Sequence, residues 1–351
     1  MTVFQAISRI TPANEAARAQ AHAHWDFLAK PLGSLGLLEE QISAIAALTG
    51  SSDVSLDRPV LLVYCADHGV VAQGVSQSGP EVTSAVACAL GAGESTVCHM
   101  AAVPGCCVIP VDMGILDFPG APGVLNRRIR NATGDISRGP AMDRTECLRA
   151  VEVGMELVRQ QRQNGCQILL TGEMGIGNTT ASSAVVSALL NLPPEQVTGR
   201  GAGLSDTGLL RKCRAIRQAI VCNRPDPDDP IDVLTKVGGL DLAALCGTFL
   251  GGALYGVPVV MDGFISGAAA LCALRLCPNA RKAILPSHAS SEPASRLVLD
   301  AMEMEPLLTA GMHLGEGSGA VAALSLLQQA LAVYRSNHTF QHLGIDAYVP
   351  Q

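Results

Sequence analysis

The sequence predicts an α/β fold, a mostly parallel sheet with helices on both faces. From residue 59 onward, short apolar runs alternate with helix-forming stretches, which is the pattern of repeated strand and helix units. The runs PVLLVYC and VPVVM are continuously apolar, as expected of strands that are covered on both sides. Polar residues end these runs, so we expect a Rossmann-like sheet with a site at its carboxyl edge.

Two helices are predicted before the first strand, over residues 14–29 and 35–48. The proline and glycines of KPLGSLG separate them, since these residues stop one helix and start the next. No strand accompanies these helices, which indicates an outlying helical subdomain within residues 1–58.

The next stretch contains two predicted strands with a helix between them. The strand PVLLVYCADHG ends at Asp67 and His68, a helix is predicted over residues 81–101, and the strand CVIPVDMG ends at Asp112. Residues 118–140 then form a long irregular insertion with Pro and Gly and with Arg127, Arg128 and Arg130. Solvated surface or a partner contact is the default interpretation of such a segment.

The stretch QILLTGEMGIGNTTASS, residues 167–183, predicts a strand, a tight turn and a helix. Gly175 and Gly177 permit backbone conformations closed to other residues and let a ligand approach bare amides. Asn178, Thr179 or Thr180 is available to cap the helix, whose first N–H groups suit a phosphate. A purely phosphate-binding loop would gain nothing from a negative charge, so Glu173 indicates chemistry beside the phosphate. The alternative is a plain glycine-rich connection.

A second glycine-rich turn, VTGRGAG, contains Gly201 and Gly203 and precedes a predicted helix that carries Lys212. Two such turns and a cation favour a phosphorylated ligand. Further on, the strand VPVVMD ends at Asp262, and the strand KAILPSHAS ends in polar residues that include Ser290. Because parallel strands end at one edge of the sheet, we expect these residues to meet there.

The segment LGEGSGA places Glu316 between Gly315 and Gly317, just before an apolar-striped helix. A carboxylate flanked by glycines is poorly shielded and can approach a flat substrate. Glu316 is therefore a candidate general base, with an ordinary turn glutamate as the alternative.

Composition excludes several classes of protein. The net charge is -7, the sequence pI is near 5.6, and no long Lys/Arg cluster is present, so nucleic acid is not an expected partner. Twelve scattered cysteines without a CxxC pair, and an N-terminus without a signal-peptide core, indicate a cytoplasmic protein with reduced thiols and no metal site. Residues 242–274 are long enough to span a bilayer, but Pro258 and glycines divide them into a helix and a strand.

Eight segments together resemble one known family. They are KPLGSLGLLE, ADHGVVAQGVS, GEMGIGNTT, GRGAGLSDTGLLRK, VGGLDL, MDGFIS, PSHASSE and LGEGSGA, in this order over about residues 30–335. They are similar to the motifs of the nicotinate-nucleotide:dimethylbenzimidazole phosphoribosyltransferases, which make α-ribazole phosphate for the lower loop of cobalamin. The resemblance implies a homodimer that takes nicotinate mononucleotide and an aromatic base and needs no cofactor.

The resemblance also implies how the chain is divided. Residues 1–58 form helices of a small domain, and residues 59–310 form the large α/β domain. Residues 311–351 supply the active-site glutamate loop and a C-terminal helix that closes on the small domain. The small helical domain is thus drawn from both chain termini.

Two glutamates take catalytic roles in this comparison. Glu316, in the LGEG motif, is the base, and Glu173 lies near the reacting ribose. The predicted substrate-binding residues are Ser78, Val86, Gly175, Gly177, Asn178, Gly201, Gly203, Lys212, Asp262 and Ser290.

Val86 departs from the family pattern. Some members place a glutamine on the helix after EVT, within reach of the aromatic base, where this chain has Val86. A valine cannot hydrogen-bond the edge of the base, and relatives accept adenine or phenolics. The sequence therefore leaves the preferred base open.

The implied chemistry matches the residue types. Nicotinate leaves from a pyridinium, so a base is required but a metal is not. Conversion of a β-nucleotide into an α-product inverts the anomeric carbon, which favours direct displacement over a covalent intermediate. A non-catalytic nucleotide sensor is the competing class, and it would not need Glu173 and Glu316 together. An ordinary phosphoribosyltransferase would need an acidic-pair loop that the sequence lacks.

Overall fold

The computed structural model describes residues 2–348 and contains a six-stranded parallel sheet in the order β3-β2-β1-β4-β5-β6. This is the strand order of Rossmann-type proteins, so the predicted fold class is confirmed. The strands are β1 (Val60–Ala66), β2 (Cys107–Gly114), β3 (Leu125–Asn126), β4 (Leu169–Met174), β5 (Val259–Met261) and β6 (Ile284–Pro286).

Helices connect and cover the strands. Short 3₁₀ helices at Gly69–Gln73 and Pro278–Ala283 complete the connections. The α-helices are α1 (Val3–Ile7), α2 (Glu15–Phe27), α3 (Leu37–Thr49), α4 (Glu81–Ala92), α5 (Thr96–Ala102), α6 (Arg144–Gln163), α7 (Asn178–Leu190), α8 (Pro194–Val197), α9 (Asp206–Asn223), α10 (Pro230–Val237), α11 (Leu240–Tyr255), α12 (Phe264–Leu276), α13 (Ala294–Ala301), α14 (Ser318–Tyr334) and α15 (Phe340–Leu343).

Side chains of β1 alternate between the two faces of the sheet, as the pleat requires. Leu62 and Tyr64 join a buried cluster with α6, α7, α10, α11 and α12. Leu61, Val63 and Cys65 join a second cluster with α2, α3, α4, α5 and α14. Helices therefore cover both faces, which explains why the strand is apolar throughout.

The helices of the two chain ends pack against each other. The rings of Trp25 in α2 and Tyr334 in α14 lie 4.9 Å apart, edge to face, and the Ala29 N–H donates to the His338 carbonyl at 2.8 Å. These helices also share buried contacts with β1 and β4. A separate small domain, with boundaries near residues 58 and 310, remains a prediction.

The insertion over residues 118–140 is more ordered than expected, since it contains β3. The Arg128 guanidinium pairs with Asp112 at 2.9 Å, and that of Arg130 pairs with Glu146 at 2.9 Å. Both arginines are therefore held in ion pairs at the surface, and a partner contact of the insertion stays a prediction. Arg128 ties the insertion to the end of β2.

The crevice of the fold lies between β1 and β4. From β1 the chain builds β2 and β3 on one side, and it then places β4, β5 and β6 on the other. Connections that leave β1 and β4 diverge, so the carboxyl ends of these strands stay open to a ligand. Tyr64 pairs in register with Glu173, which puts that carboxylate at this point.

Two further expectations concern the whole chain. Within residues 2–348, no helix is both long and apolar enough to cross a membrane, and residues 242–274 form most of α11, β5 and most of α12. The twelve cysteines all lie in this described part, and each is a free thiol.

Candidate functional site

A cavity of about 290 Å³ opens at the carboxyl edge of the sheet. Its walls come from the loop that enters α4, the turns before α7 and α9, the segments after β5 and β6, and the loop before α14. A concave site of this size suits a small molecule.

The cavity brings together most of the residues predicted from the sequence. Gly203 and Lys212 lie outside its lining: the Gly203 carbonyl accepts from the Gln77 side chain, and Lys212 lies behind the turn. The predicted residues that line the cavity are Ser78, Val86, Glu173, Gly175, Gly177, Asn178, Gly201, Asp262, Ser290 and Glu316.

The turn between β4 and α7 presents Glu173 to the cavity. Glu173 is a residue of β4 itself, and the Asn178 side-chain amide donates to its Oε2. Gly177 has a φ of 96°, a left-handed conformation that favours glycine. Asn178 thus orients the carboxylate instead of capping the helix.

A hydroxyl from α4 holds the middle of this turn. The Ile176 N–H donates to Thr83 Oγ1 at 3.1 Å, and the Thr83 hydroxyl donates to Asp67 Oδ1 at 2.6 Å. The second oxygen of Asp67 accepts from the Leu116 N–H at 2.8 Å. The turn is therefore fixed to the end of β1 through one buried threonine.

A buried ion pair lies under the same turn. His68 Nε2 is 3.1 Å from Asp241 Oδ2, and both side chains are almost fully buried. Burial alone would lower the pKa of His68, but the charge of Asp241 and its hydrogen bond have the larger combined effect, so the pKa is raised. A Cβ on Gly175 would lie 2.1 Å from the Ala66 carbonyl oxygen, so only glycine fits between this support and the cavity.

The loop before α14 carries Glu316 in a left-handed conformation, with a φ of 59°. Its N–H donates to the Glu173 carbonyl at 3.2 Å. Asp262 Oδ1 accepts from the N–H groups of Gly319 and Ala320 at 2.9 and 3.0 Å. Asp262 thereby caps α14 and holds the loop in place. It lines the cavity, as predicted for a substrate-binding residue, but it also has this structural role.

The two glutamates share an environment that favours their protonated forms. Burial raises the pKa of Glu173 well above the usual carboxyl value, and Asp241 and Asp262 raise it further. Burial also raises the pKa of Glu316, while the Val97 amide and the Ser95 hydroxyl oppose the shift. A carboxylate with a raised pKa accepts a proton more readily, which suits a general base.

The Glu316 side chain keeps one oxygen unengaged. Within residues 2–348, no donor reaches its buried Oε2. His288 lines the cavity nearby, and its Nδ1 is 3.0 Å from Ser287 Oγ and 3.9 Å from Asp262 Oδ1. A Cβ on Gly319 would lie 2.0 Å from His288 Nδ1, so this glycine makes room for the ring.

Lys212 supports the second glycine-rich turn from below. Its side chain is fully buried, and Nζ donates to Thr179 Oγ1 at 2.8 Å and to the Gly199 carbonyl at 3.0 Å. Burial lowers its pKa to about 8. The ammonium lies 3.5 Å from where a Gly201 Cβ would be, close enough to act electrostatically on an anion at this turn.

Sequence reasoning missed Thr83, His288 and Glu292. Thr83 and Glu292 bond to turns about ninety residues away along the chain, and no local pattern signals such a bond. His288 lies in the polar run after β6, so the sequence predicts its position near the site, but no pattern predicts its contacts with Ser287 and Asp262. Among residues 2–348, no three His, Cys, Asp or Glu side chains are placed to hold a metal ion.

Together, the fold and the cavity define a Rossmann-type protein in which two glycine-rich turns and two buried carboxyl groups surround one cavity. A family model described as phosphoribosyltransferase matches residues 10–345. The chain belongs to this phosphoribosyltransferase family, an enzyme family of the pentosyltransferase type.

Individual relatives agree with the family model. Two are named nicotinate-nucleotide–dimethylbenzimidazole phosphoribosyltransferase. The one from Ruminiclostridium cellulolyticum is 44% identical over 100% of this chain and 99% of its own length. The one from Acetivibrio thermocellus is 42% identical over 99% of each. A crystal structure named CobT, from Thermus thermophilus, has a TM-score of 0.89 at 40% identity, covering 95% of this chain and 100% of that one.

Proposed function

We propose that the chain transfers the 5-phosphoribosyl group from nicotinate mononucleotide to 5,6-dimethylbenzimidazole or a related base. The products are α-ribazole 5′-phosphate, for assembly of the cobalamin lower loop, and nicotinate. The observation that carries the proposal is the meeting of Glu173 and Glu316 with both glycine-rich turns around one cavity. A nucleotide sensor would need the turns alone, and relatives over the whole chain are named for this reaction.

The donor would bind along the two turns. Its phosphate would take bare amides near Gly175 and Gly201, with the Lys212 charge beneath them. Its ribose would then lie beside Glu173, which Asn178 holds in place. In this position the anomeric carbon of the donor would lie between the two glycine-rich turns and the loop that carries Glu316.

The acceptor base would lie against the wall formed by Val86 and Ser78. One nitrogen of the base attacks C1′ as the bond from C1′ to nicotinate breaks, and the pyridinium nitrogen keeps the electron pair. Glu316 takes the proton from the other nitrogen of the base. The attack comes from the face opposite nicotinate, so C1′ is inverted.

The direct displacement needs few groups. Nicotinate departs as a neutral ring nitrogen, so no general acid is required. Burial of Glu316 makes it a stronger base than a solvated carboxylate. We also propose a homodimer, on the family resemblance, a cytoplasmic location, on the scattered free thiols, and no nucleic-acid partner, on the acidic charge.

The test is turnover without added metal. The protein is incubated with nicotinate mononucleotide and a panel of flat bases, and the products are identified by mass spectrometry. Nicotinate release that depends on an added base supports the enzyme, whereas binding without release would indicate a sensor.

The role of Glu316 has a separate test. Glu316→Gln should lower kcat by about 10² to 10⁴ with little change in KM, because the amide keeps the shape but cannot take a proton. A pre-ionised phenolate acceptor should lose less rate, since it has no proton to give. Full turnover by Glu316→Gln with dimethylbenzimidazole would reject the base assignment and direct attention to Glu173.

A further inference from the structure

A carboxylate of the chain itself occupies the second glycine-rich turn. Glu292 Oε1 accepts the Gly201 N–H at 3.0 Å. Its other oxygen, Oε2, is buried, and no hydrogen-bond donor within residues 2–348 reaches it. Glu292 follows β6, lines the cavity, and so reaches the turn from another wall.

The charge of Lys212 explains why an anion is favoured there. Within residues 2–348, its ammonium makes hydrogen bonds only to neutral oxygens, those of Thr179 and Gly199. A buried ammonium with neutral partners alone is unfavourable. The charge of Glu292 is the main influence that raises the Lys212 pKa, against the lowering by burial. The carboxylate therefore neutralises part of this buried charge.

Glu292 also fills space that a ligand phosphate needs. A Cβ on Gly199 would lie 2.0 Å from Glu292 Oε2, so the carboxylate rests directly on bare glycine backbone. A phosphate that takes the Gly201 amide would need the same donor and would bring further negative charge. Both anions cannot hold this position together, since like charges at contact repel strongly.

We propose that Glu292 is a built-in competitor for the phosphate of the substrate and thereby sets the selectivity of the turn. It holds the Gly201 amide in the arrangement seen here and withdraws when a phosphate takes that amide. The binding energy of a free phosphate is too small to displace the Glu292 carboxylate. A nucleotide can displace it, because its ribose and ring make additional contacts. This inference rests on the proposed function of the turn.

The test compares Glu292→Gln with Glu292→Ala. The glutamine keeps the acceptor oxygen and removes the charge, while the alanine removes both. Isothermal titration calorimetry measures the dissociation constants of inorganic phosphate and nicotinate mononucleotide, and thermal unfolding reports on the fold. Glu15→Gln removes one negative charge from α2, outside the cavity, and is the matched control.

Inorganic phosphate should bind both variants tighter than the wild type, by on the order of tenfold, and the nucleotide by a smaller factor. Glu15→Gln should bind like the wild type. A residue that merely braces the turn would give weaker binding on removal. Unchanged or weaker phosphate binding by Glu292→Gln, with normal unfolding, therefore overturns the inference even if the alanine variant fails to fold.

Nicotinate release by the wild type separates this inference from the proposed function. Release together with unchanged phosphate affinity in Glu292→Gln overturns the competition alone. If the wild type releases no nicotinate, the proposed function is overturned. The competition between Glu292 and a substrate phosphate, which is inferred from that function, is then overturned as well.

Discussion

Gly172 lies where β4 closely approaches the loop that carries Glu316, and replacing it with alanine tests the base assignment without changing the carboxylate. A Cβ at this position would lie 2.5 Å from the Glu316 carbonyl oxygen and 2.9 Å from the Gly317 nitrogen. Ordinary contact begins at 3.4 Å, so the two segments must separate by about 0.9 Å. Gly172 pairs with Val63 inside the sheet, so the loop is the part that moves.

The magnitude follows from that displacement. A shift of about 1 Å in a catalytic group costs about 10²-fold in rate, and overpacking costs about 1 to 3 kcal/mol of stability. We therefore expect Gly172→Ala to lower kcat about a hundredfold and to lower Tm modestly. KM for nicotinate mononucleotide should change little, because the phosphate turns are not displaced.

The assay combines steady-state kinetics with thermal unfolding. Gly139→Ala is the control, since a Cβ there meets nothing within 4 Å. The double variant Gly172→Ala/Glu316→Gln should be no slower than Glu316→Gln alone, because both changes remove the same positioned base. Wild-type kcat in Gly172→Ala, or fully additive losses in the double variant, would refute the reasoning.

Three further predictions concern the rest of the site. The value of kcat/KM should rise with pH through a Glu316 pKa above the usual carboxyl range and fall above about 8 as Lys212 deprotonates; a rising limb that persists in Glu316→Gln would contradict this. Thr83→Val should raise KM for nicotinate mononucleotide about tenfold, as expected when the part-buried Ile176 N–H loses its acceptor, while Thr83→Ser should keep KM near the wild-type value; equal kinetics of the two variants would exclude this role. Val86→Gln should narrow the choice among mixed bases in a competition assay, because an amide rejects bases that leave it unpaired, and an unchanged product ratio would count against Val86 as a base contact.

The sequence predicted those parts of the molecule that depend on local pattern. Continuous apolar runs predicted the strands, and the polar residues that follow these runs placed Glu173 and Asp262 at the carboxyl edge of the sheet. The strand β3 was missed because Leu125–Asn126 is too short to form an apolar run. Lys212 was placed on the correct helix, but periodicity does not say how a helix is rotated against a neighbouring turn. Contacts such as that of Thr83 with Ile176 arise only when the sheet assembles.

The position of Asp262 at the start of α14 affects how readily the nearby Glu316 carboxylate takes up a proton. The first amides of a helix stabilise a nearby carboxylate in its charged form, which weakens it as a base. Glu316 lies two residues before α14, where those amides would be its natural partners. Asp262 already accepts from two of them, and Glu316 Oε2 has no donor within residues 2–348. The cap on α14 therefore keeps these two amides from Glu316, and it preserves the proton affinity that the proposed displacement would use.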